Sequence, residues 1–331
     1  MTQAAVGKLP LRTPSSNGAT SLLATIAAGL AVLVGSCGCA FAFEYAPILD
    51  PKGPITMIER DLLFTAVGLM LVVIVPVWVM TFWFAHRYRA DGGKGTYAPN
   101  WSHSTVIELF VWLVPFAIIT VLGYLLWTYT HRLDPYKPIA DADGPPLEVE
   151  VVAQNWKWLF IYPEQNIAVV NELVFPAKRQ LSLKITSDTV MNAFFVPALA
   201  GQIYAMAGMQ TRLHMLADEP GRFIGLNTLY SGAGFADQDF DVIATSPEDF
   251  EAWVAKVKGS AKVLDAATYR KLAAPSRGDP VIYYSGVEPG LFDRIILKYV
   301  PEGFCGPTWL HNRPKKAPAP ALESRAAASR T

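Results

Sequence analysis

Three stretches near the start of the chain are apolar and almost without charge. They run from Ser21 to Phe43, from Leu62 to Phe84 and from Ile107 to Trp127. About 20 apolar residues are enough to cross a bilayer as a helix. The second and third stretches each end in basic residues and are joined by a short loop. We therefore predict a two-helix transmembrane hairpin over residues 62–132.

The first stretch has the pattern of a secretory signal. Lys8 and Arg12 precede it, which gives a basic segment followed by an apolar one. Near its end the small residues Val34-Gly35-Ser36 stand directly before Cys37, and this run resembles a bacterial lipobox. The pattern predicts a signal peptide over 1–36, a lipid on Cys37 and a periplasmic segment over 37–61. An uncleaved membrane helix is the alternative reading.

The charges around the hairpin predict its orientation. The loop between the two apolar stretches carries Arg87, Arg89 and Lys94 against a single acid, Asp91. Cytoplasmic loops of membrane proteins are enriched in Lys and Arg. We expect this loop to be cytoplasmic. The chain would then cross a bacterial inner membrane, with the part after Arg132 in the periplasm.

Beyond the hairpin the hydrophobic pattern changes from long runs to short alternating segments. Residues 141–146 form a polar linker rich in Pro and Asp, and the chain after it is dense in Val and aromatic residues. Alternation over four to eight residues between turn signals is typical of β-strands. This predicts a membrane-anchored all-β protein with a β-sandwich or barrel over 146–245. The predicted strands after residue 162 are Ile167–Phe175, Gln180–Thr186, Ala193–Pro197, Thr211–Ala217, Gly221–Leu226 and Phe240–Thr245.

The pattern becomes helical at Ser246. Ser246 is followed by Pro and two acids, the signature of a capped helix start. A second helix is predicted over Asp265–Ala273, within a small helical extension over 246–300. The tail over 314–331 is mostly Pro, Ala, Ser, Lys and Arg, which predicts disorder.

Composition supports a membrane protein and excludes other classes. Hydrophobic residues make up 52% of the chain and charged residues 17%, with 28 Lys and Arg against 28 Asp and Glu. A nucleic-acid binder would need a basic excess to neutralise phosphates, and none is present. Three cysteines are too few for a disulfide scaffold.

Few residues of the predicted periplasmic domain could carry chemistry. Its two histidines are His214 and His311 and its one cysteine is Cys305, without ligand spacing between them. His214 falls inside an alternating strand, so a structural role is expected. Neither a nucleophile motif nor a phosphate loop is found. We therefore expect no catalytic residue in this chain.

The layout and three motifs resemble subunit II of the haem–copper oxidases. In His103–Pro115 a glutamate precedes a tryptophan and then a proline, as at the start of that family's second helix. Gln154–Tyr162 is similar to its aromatic segment, and Asn192–Leu199 to the strand that begins with a copper-binding histidine in cytochrome c oxidases. The resemblance implies a cupredoxin-like barrel after the hairpin.

The chain departs from that family at its dinuclear copper site. Copper-bearing members supply two thiolates, two histidines, a glutamate and a methionine. The corresponding positions here are Asn192, Asn227, Leu229, Ser231, Phe235 and Gln238. Copper of this kind prefers soft sulfur and imidazole ligands, so we expect this chain to bind neither a metal nor another cofactor.

The loss of the copper ligands, the lipobox and the segment Gln202–His214 together resemble subunit II of the cytochrome o-type ubiquinol oxidases. This resemblance implies a proton-pumping terminal oxidase that takes electrons from ubiquinol in the membrane, without a soluble cytochrome c. Haems and copper would lie in the large subunit I, which would be accompanied by other oxidase subunits. Glu108 matches a family glutamate at the mouth of a proton channel, with His103 as its neighbour.

Two other functions stay open at this stage. The first is a copper-containing cytochrome c oxidase subunit, which the replaced ligands disfavour. The second is a free-standing cupredoxin-like lipoprotein that acts as a scaffold or binding module. Against the second stands Glu108, because a carboxylate at the start of an apolar span is costly unless it has a function or lies at the interface.

Overall fold

The structure is a computed structural model that describes residues 47–89, 102–139 and 144–300. The predicted signal peptide over 1–36, the lipid acceptor Cys37 and the predicted tail over 314–331 lie outside these residues.

Two long helices form the predicted hairpin. A short 3-10 turn, Pro47–Leu49, precedes helix α1 (Pro54–Arg87), and helix α2 (Thr105–Arg132) returns. Both are long and apolar enough to cross a membrane, and their apolar windows are not buried within the chain. The hairpin is thus confirmed, although α1 begins two turns before the predicted apolar span. It begins there because Pro54, whose fixed φ suits a first helical turn, starts it.

The domain-side ends of both helices are bonded to the β-domain. The Lys52 N–H donates to the Ala198 carbonyl at 3.0 Å, and the Asp218 N–H donates to the Lys52 carbonyl at 3.0 Å. Gly53 is required at this contact, since a Cβ atom on it would lie 2.3 Å from the Leu216 carbonyl oxygen. After α2, the Ile139 N–H donates to the Gln180 side chain at 3.2 Å. The β-domain therefore lies at the end of the hairpin where α1 begins and α2 ends.

The β-domain consists of two sheets that face each other. The strand order of the first sheet is β12-β3-β2-β1-β5-β8 and that of the second is β4-β10-β9-β6-β7, while β11 and β13 form a separate pair. The first two strands pair in antiparallel fashion, and β1 runs parallel to β5. The strands are β1 Leu147–Gln154, β2 Lys157–Tyr162, β3 Ile167–Val170, β4 Glu172–Pro176, β5 Leu181–Ser187, β6 Asn192–Val196, β7 Ala200–Ala205, β8 Thr211–Met215, β9 Gly221–Asn227, β10 Asp239–Thr245, β11 Val263–Leu264, β12 Ile282–Tyr284 and β13 Gly286–Val287.

Strands β2 and β3 of the first sheet are buried on both faces, which explains why β2 reads as a nearly continuous apolar run. Trp158, Phe160 and Tyr162 point into the core between the sheets, where Trp158 meets Phe194 edge-on at 5.4 Å between ring centroids. Leu159 and Ile161 point the other way, into a second core built by the C-terminal residues. The helices of that region are α3 Pro247–Lys258, α4 Ala266–Leu272 and α5 Leu291–Leu297.

Helices α3 and α4 begin as predicted. Ser246 accepts the Asp249 N–H at 3.1 Å and Asp265 accepts the Thr268 N–H at 2.7 Å, which are N-cap bonds. We call residues 246–300 the C-terminal extension. It is more closely joined to the barrel than predicted, because its strand β12 pairs with β3 and so extends the first sheet.

Two strand predictions were wrong. The predicted strand Ile167–Phe175 is divided into β3 and β4, which belong to different sheets. Asn171 causes the break: its φ is +57°, and its side chain accepts the Trp158 N–H at 2.8 Å. Strand β7 was not predicted, because Ala200, Gly201 and Gln202 at its start are not typical strand residues.

Candidate functional site

The six positions that correspond to copper ligands lie at one end of the barrel. Asn192 begins β6 and Asn227 ends the neighbouring strand β9, and both side chains are buried. The other four follow in residues 229–238, the loop that leads from β9 into β10. A 3-10 turn, Phe235–Asp237, closes this loop.

Four of the six side chains form one hydrogen-bonded group, which we call the amide network: Asn192, Asn227, Ser231 and Gln238. The Asn227 amide is its centre and donates to Asn192 Oδ1 at 2.9 Å, Gln238 Oε1 at 2.9 Å and Ser231 Oγ at 3.2 Å. The Ser231 hydroxyl in turn donates to Gln238 Oε1 at 3.0 Å. Four of the six positions that correspond to copper ligands are thus hydrogen-bonded to one another.

Backbone groups satisfy the rest of the amide network. Asn227 Oδ1 accepts the Ala193 N–H at 2.9 Å and the Leu229 N–H at 3.1 Å, and the Asn192 amide donates to the Val190 carbonyl at 2.8 Å. Buried polar groups are costly unless they are hydrogen-bonded, and here every one of these amides is. The network therefore stabilises the loop.

The remaining two positions supply no donor atom. Leu229 is half-buried and joins the network only through its backbone N–H. The Phe235 ring lies against the ring of Tyr230, with 5.8 Å between centroids.

A dinuclear copper site does not fit this set of atoms. The site offers neutral amides and one hydroxyl, each already engaged with a neighbour, whereas copper of this type requires thiolate and imidazole. Across residues 47–89, 102–139 and 144–300, no group of three or more His, Cys, Asp or Glu side chains could hold a metal ion. The side chains at this end of the barrel therefore have a structural role.

His214 occupies the strand position that was expected for a structural histidine. It lies in β8, is 7% exposed, and its Nδ1 is 2.6 Å from the Gln180 amide nitrogen. Burial, followed by the nearby positive charge of Arg212, lowers the pKa of this imidazole.

Glu108 and His103 lie at the other end of the molecule. Glu108 is in the first turn of α2, where its backbone N–H donates to the Ser104 carbonyl at 2.9 Å, and its side chain is exposed. His103 precedes the helix, is also exposed, and its Nδ1 lies 3.4 Å from the Ser102 hydroxyl. Within the part of the chain that the structure describes, the Glu108 carboxylate has neither an ion pair nor a hydrogen bond.

Sequence reasoning missed one residue of the amide-network end. Trp156 has a φ of +64°, its indole N–H donates to the Ser231 carbonyl at 3.2 Å, and its ring leaves no room for a Cβ atom on Gly234. The Gly-Ala-Gly run at 232–234 was the available signal, since closely spaced glycines often mark a close approach.

Family models match two parts of the chain. Residues 162–238 match "Cytochrome C oxidase subunit II, periplasmic domain", and residues 258–303 match "COX Aromatic Rich Motif". The cytochrome bo(3) ubiquinol oxidase subunit 2 of Pseudomonas putida is 53% identical over 252 residues, which cover 76% of this chain and 80% of that protein. The chain belongs to the ubiquinol oxidase subunit 2 family. Its barrel is thus the cupredoxin-like domain of a haem–copper oxidase subunit.

Two further relatives have somewhat lower or clearly lower identity. The ubiquinol oxidase subunit 2 of Acetobacter aceti is 51% identical and covers 76% of this chain and 82% of its own length. The quinol oxidase subunit 2 of Bacillus subtilis is 35% identical, with 78% of each chain covered. Among solved structures, the periplasmic domain of subunit II of cytochrome oxidase of Bradyrhizobium japonicum matches with a TM-score of 0.33 and 22% identity, covering 35% of this chain and 93% of that chain.

Family membership decides between the functions that the sequence left open. A subunit of a ubiquinol oxidase complex is confirmed, and a free-standing scaffold or binding lipoprotein is not favoured. The chain is part of a multi-subunit oxidoreductase. Its two apolar helices and its match to a periplasmic domain agree with an inner-membrane protein.

Proposed function

We propose that this chain is the metal-free subunit 2 of a proton-pumping oxidase that transfers electrons from ubiquinol to oxygen in an aerobic respiratory chain. The observation that carries the proposal is the 53% identity to a ubiquinol oxidase subunit 2, combined with an amide network at the positions where a copper relay would need thiolates. A membrane quinol makes such a relay unnecessary, so a soluble cytochrome c has no docking role.

The redox centres belong in this proposal to the large subunit I. The exposed apolar side chains of α2 offer that subunit a surface within the membrane, since Trp112 is 78% exposed and Phe116 69% exposed. Aromatic residues are enriched where protein interfaces are buried. The chain then stabilises the haem- and copper-bearing subunit, beside other oxidase subunits, and binds no cofactor of its own.

The same proposal assigns Glu108 to proton uptake. It lies in the first turn of a helix of 28 residues, which at about 1.5 Å per residue is long enough to span the bilayer. The basic loop predicts that this end faces the cytoplasm, from which pumped and consumed protons come. An exposed carboxylate can collect a proton and pass it inward, and His103, five residues earlier, is a second group able to exchange protons.

We further propose that the mature chain begins at a lipid-bearing Cys37, after removal of residues 1–36. The basic start, the apolar run and Val34-Gly35-Ser36 support this. Because two spanning helices already anchor the chain, Cys37→Ser should change the mass of the mature protein and leave turnover nearly intact. Intact-mass analysis of the wild-type chain tests it, and a chain that still begins at Met1 would exclude it.

Purification in mild detergent tests the proposed function. A tag on this chain should bring down a haem-bearing membrane protein, visible by its absorption spectrum, and the purified complex should consume oxygen with a ubiquinol analogue. A chain that purifies alone, without haem, would mean a free-standing protein and would refute the proposal.

A further inference from the structure

The C-terminal extension contacts the amide-network end of the barrel through a buried carboxylate, Asp188. This residue directly follows β5, and its side chain is only 2% exposed. It receives the Tyr269 hydroxyl at 2.7 Å and the Lys298 ammonium at 2.8 Å, while the Tyr299 hydroxyl donates to its backbone carbonyl at 2.8 Å. All three partners belong to the extension. We call this group the Asp188 latch.

The Asp188 latch leads directly into the amide network. The neighbouring Ser187 hydroxyl donates to the Val190 carbonyl at 2.7 Å and lies 3.3 Å from the Asn192 amide nitrogen. Asn192 then accepts from Asn227. The peptide bond between Ser187 and Asp188, together with these hydrogen bonds, thus joins the extension to the centre of the network.

A second group of contacts joins the extension to the same end of the barrel through Lys157. This lysine is 3% exposed, forms an ion pair with Asp279 at 3.1 Å, donates to the Ala274 carbonyl at 3.1 Å and also bonds the Ser276 hydroxyl. We call this group the Lys157 latch. Its ion pair and hydrogen bonds fix residues 274–279 of the extension against the turn between β1 and β2.

Trp156 lies in that turn and connects the Lys157 latch to the amide network. The Arg277 guanidinium lies over the Trp156 ring at 5.4 Å from its centroid, and the indole N–H donates to the Ser231 carbonyl. Ser231 is itself a member of the amide network. The extension therefore holds two segments that flank the central Asn227. Residues 187–192, which supply Asn192, are held through Asp188, and residues 228–238, which supply Ser231 and Gln238, are held through Trp156.

We propose that the C-terminal extension is an internal clamp that holds these two segments in one conformation. A bound metal joins the loops that supply its ligands and contributes its binding energy to their folding. Here charge-assisted hydrogen bonds to the buried side chains of Asp188 and Lys157 join the loops in place of a metal. The clamp is a separate role from covering the outer face of the first sheet, which the second core already performs.

Amide hydrogen exchange on the complete complex tests the clamp. Asp188→Asn keeps the size of the side chain and removes its charge, so exchange in residues 187–192 and 228–238 should rise by about tenfold or more. The matched control is Asp241→Asn, which breaks the exposed Arg222–Asp241 pair on the second sheet and should leave both segments unchanged. Faster exchange confined to the extension, with both segments as protected as in the wild type, would refute the clamp.

A second variant covers the case in which Asp188→Asn fails to assemble. The double variant Tyr269→Phe and Lys298→Met removes both partners of the carboxylate and retains the bulk of both side chains. Exchange in residues 187–192 should again rise, and unchanged exchange would contradict the clamp. Haem content and ubiquinol turnover, measured on the same samples, report on the proposed function separately.

Discussion

The two ends of this subunit treat their polar side chains in opposite ways. At the barrel end, Asn192, Asn227 and Gln238 are buried, neutral and bonded to one another. At the far end of α2, the Glu108 carboxylate is exposed and has no ion pair or hydrogen bond with a described residue. Side chains that satisfy each other have no capacity left for a ligand, whereas an unpaired carboxylate can exchange protons. In the proposed function the first end has a structural role and the second end takes up protons.

The largest effect should follow from opening the amide network. Asn227→Ala removes the central amide and leaves the Ala193 and Leu229 N–H groups and the Asn192 oxygen without partners. Three groups lose their partners, and an unpaired buried group costs about 1–3 kcal/mol, so we expect a stability loss of at least about 3 kcal/mol. Chemical denaturation of the purified chain measures this.

The neighbouring residue provides the control for that measurement. Thr228→Ala removes only an exposed hydroxyl that donates to Gln202 at 2.7 Å, and stability should stay within about 0.5 kcal/mol of the wild type. Equal losses for the two variants would show that the amide network contributes nothing specific.

The next effect concerns turnover and belongs to the other end. Glu108→Ala should leave assembly and haem content normal. It should slow ubiquinol-driven oxygen reduction severalfold or more, because the complex loses the carboxylate that collects protons. Glu108→Asp should keep much of the rate. Asp61→Ala, at the domain-side end of α1, is the matched exposed carboxylate and should not slow turnover.

Variants of the amide network should thus lose stability, whereas variants of Glu108 should lose turnover. Normal turnover in a fully assembled Glu108→Ala complex would show that this carboxylate is only an interfacial charge. A loss of haem in the same variant would indicate a structural role instead.

The smallest effect is a pH dependence at the barrel. Because the pKa of His214 is lowered in the folded protein, the unfolded chain binds more protons as the pH falls below the ordinary value of 6.5. His214 should therefore contribute a loss of stability on acidification that begins near that value and levels off below the folded pKa. His214→Gln should have a flatter stability profile between pH 7.5 and about pH 5. Identical profiles for both proteins would contradict this.

Much of the fold was predictable because its signals are local. The apolar spans predicted the hairpin, the cap at Ser246 predicted one helix, and a second helix was predicted over Asp265–Ala273. The break at Asn171 was not predictable, since it depends on bonds to Trp158 and to the Asp279 carbonyl, 108 positions away.

The candidate site, too, was predictable only in part. The replaced copper ligands could be named from a motif, but their union into one network depends on side-chain directions across β6, β9 and a loop. The Asp188 latch could not be predicted at all, because it joins residues 81 and 110 positions apart.

The most direct test of the central claim compares electron donors in the purified complex that contains this chain. The account predicts rapid oxygen consumption with a ubiquinol analogue, none above background with reduced cytochrome c, and none of the purple absorption of a dinuclear copper site. Cytochrome c oxidation together with that absorption would contradict it, because electrons would then be entering through a metal that the amide network leaves no ligands to hold.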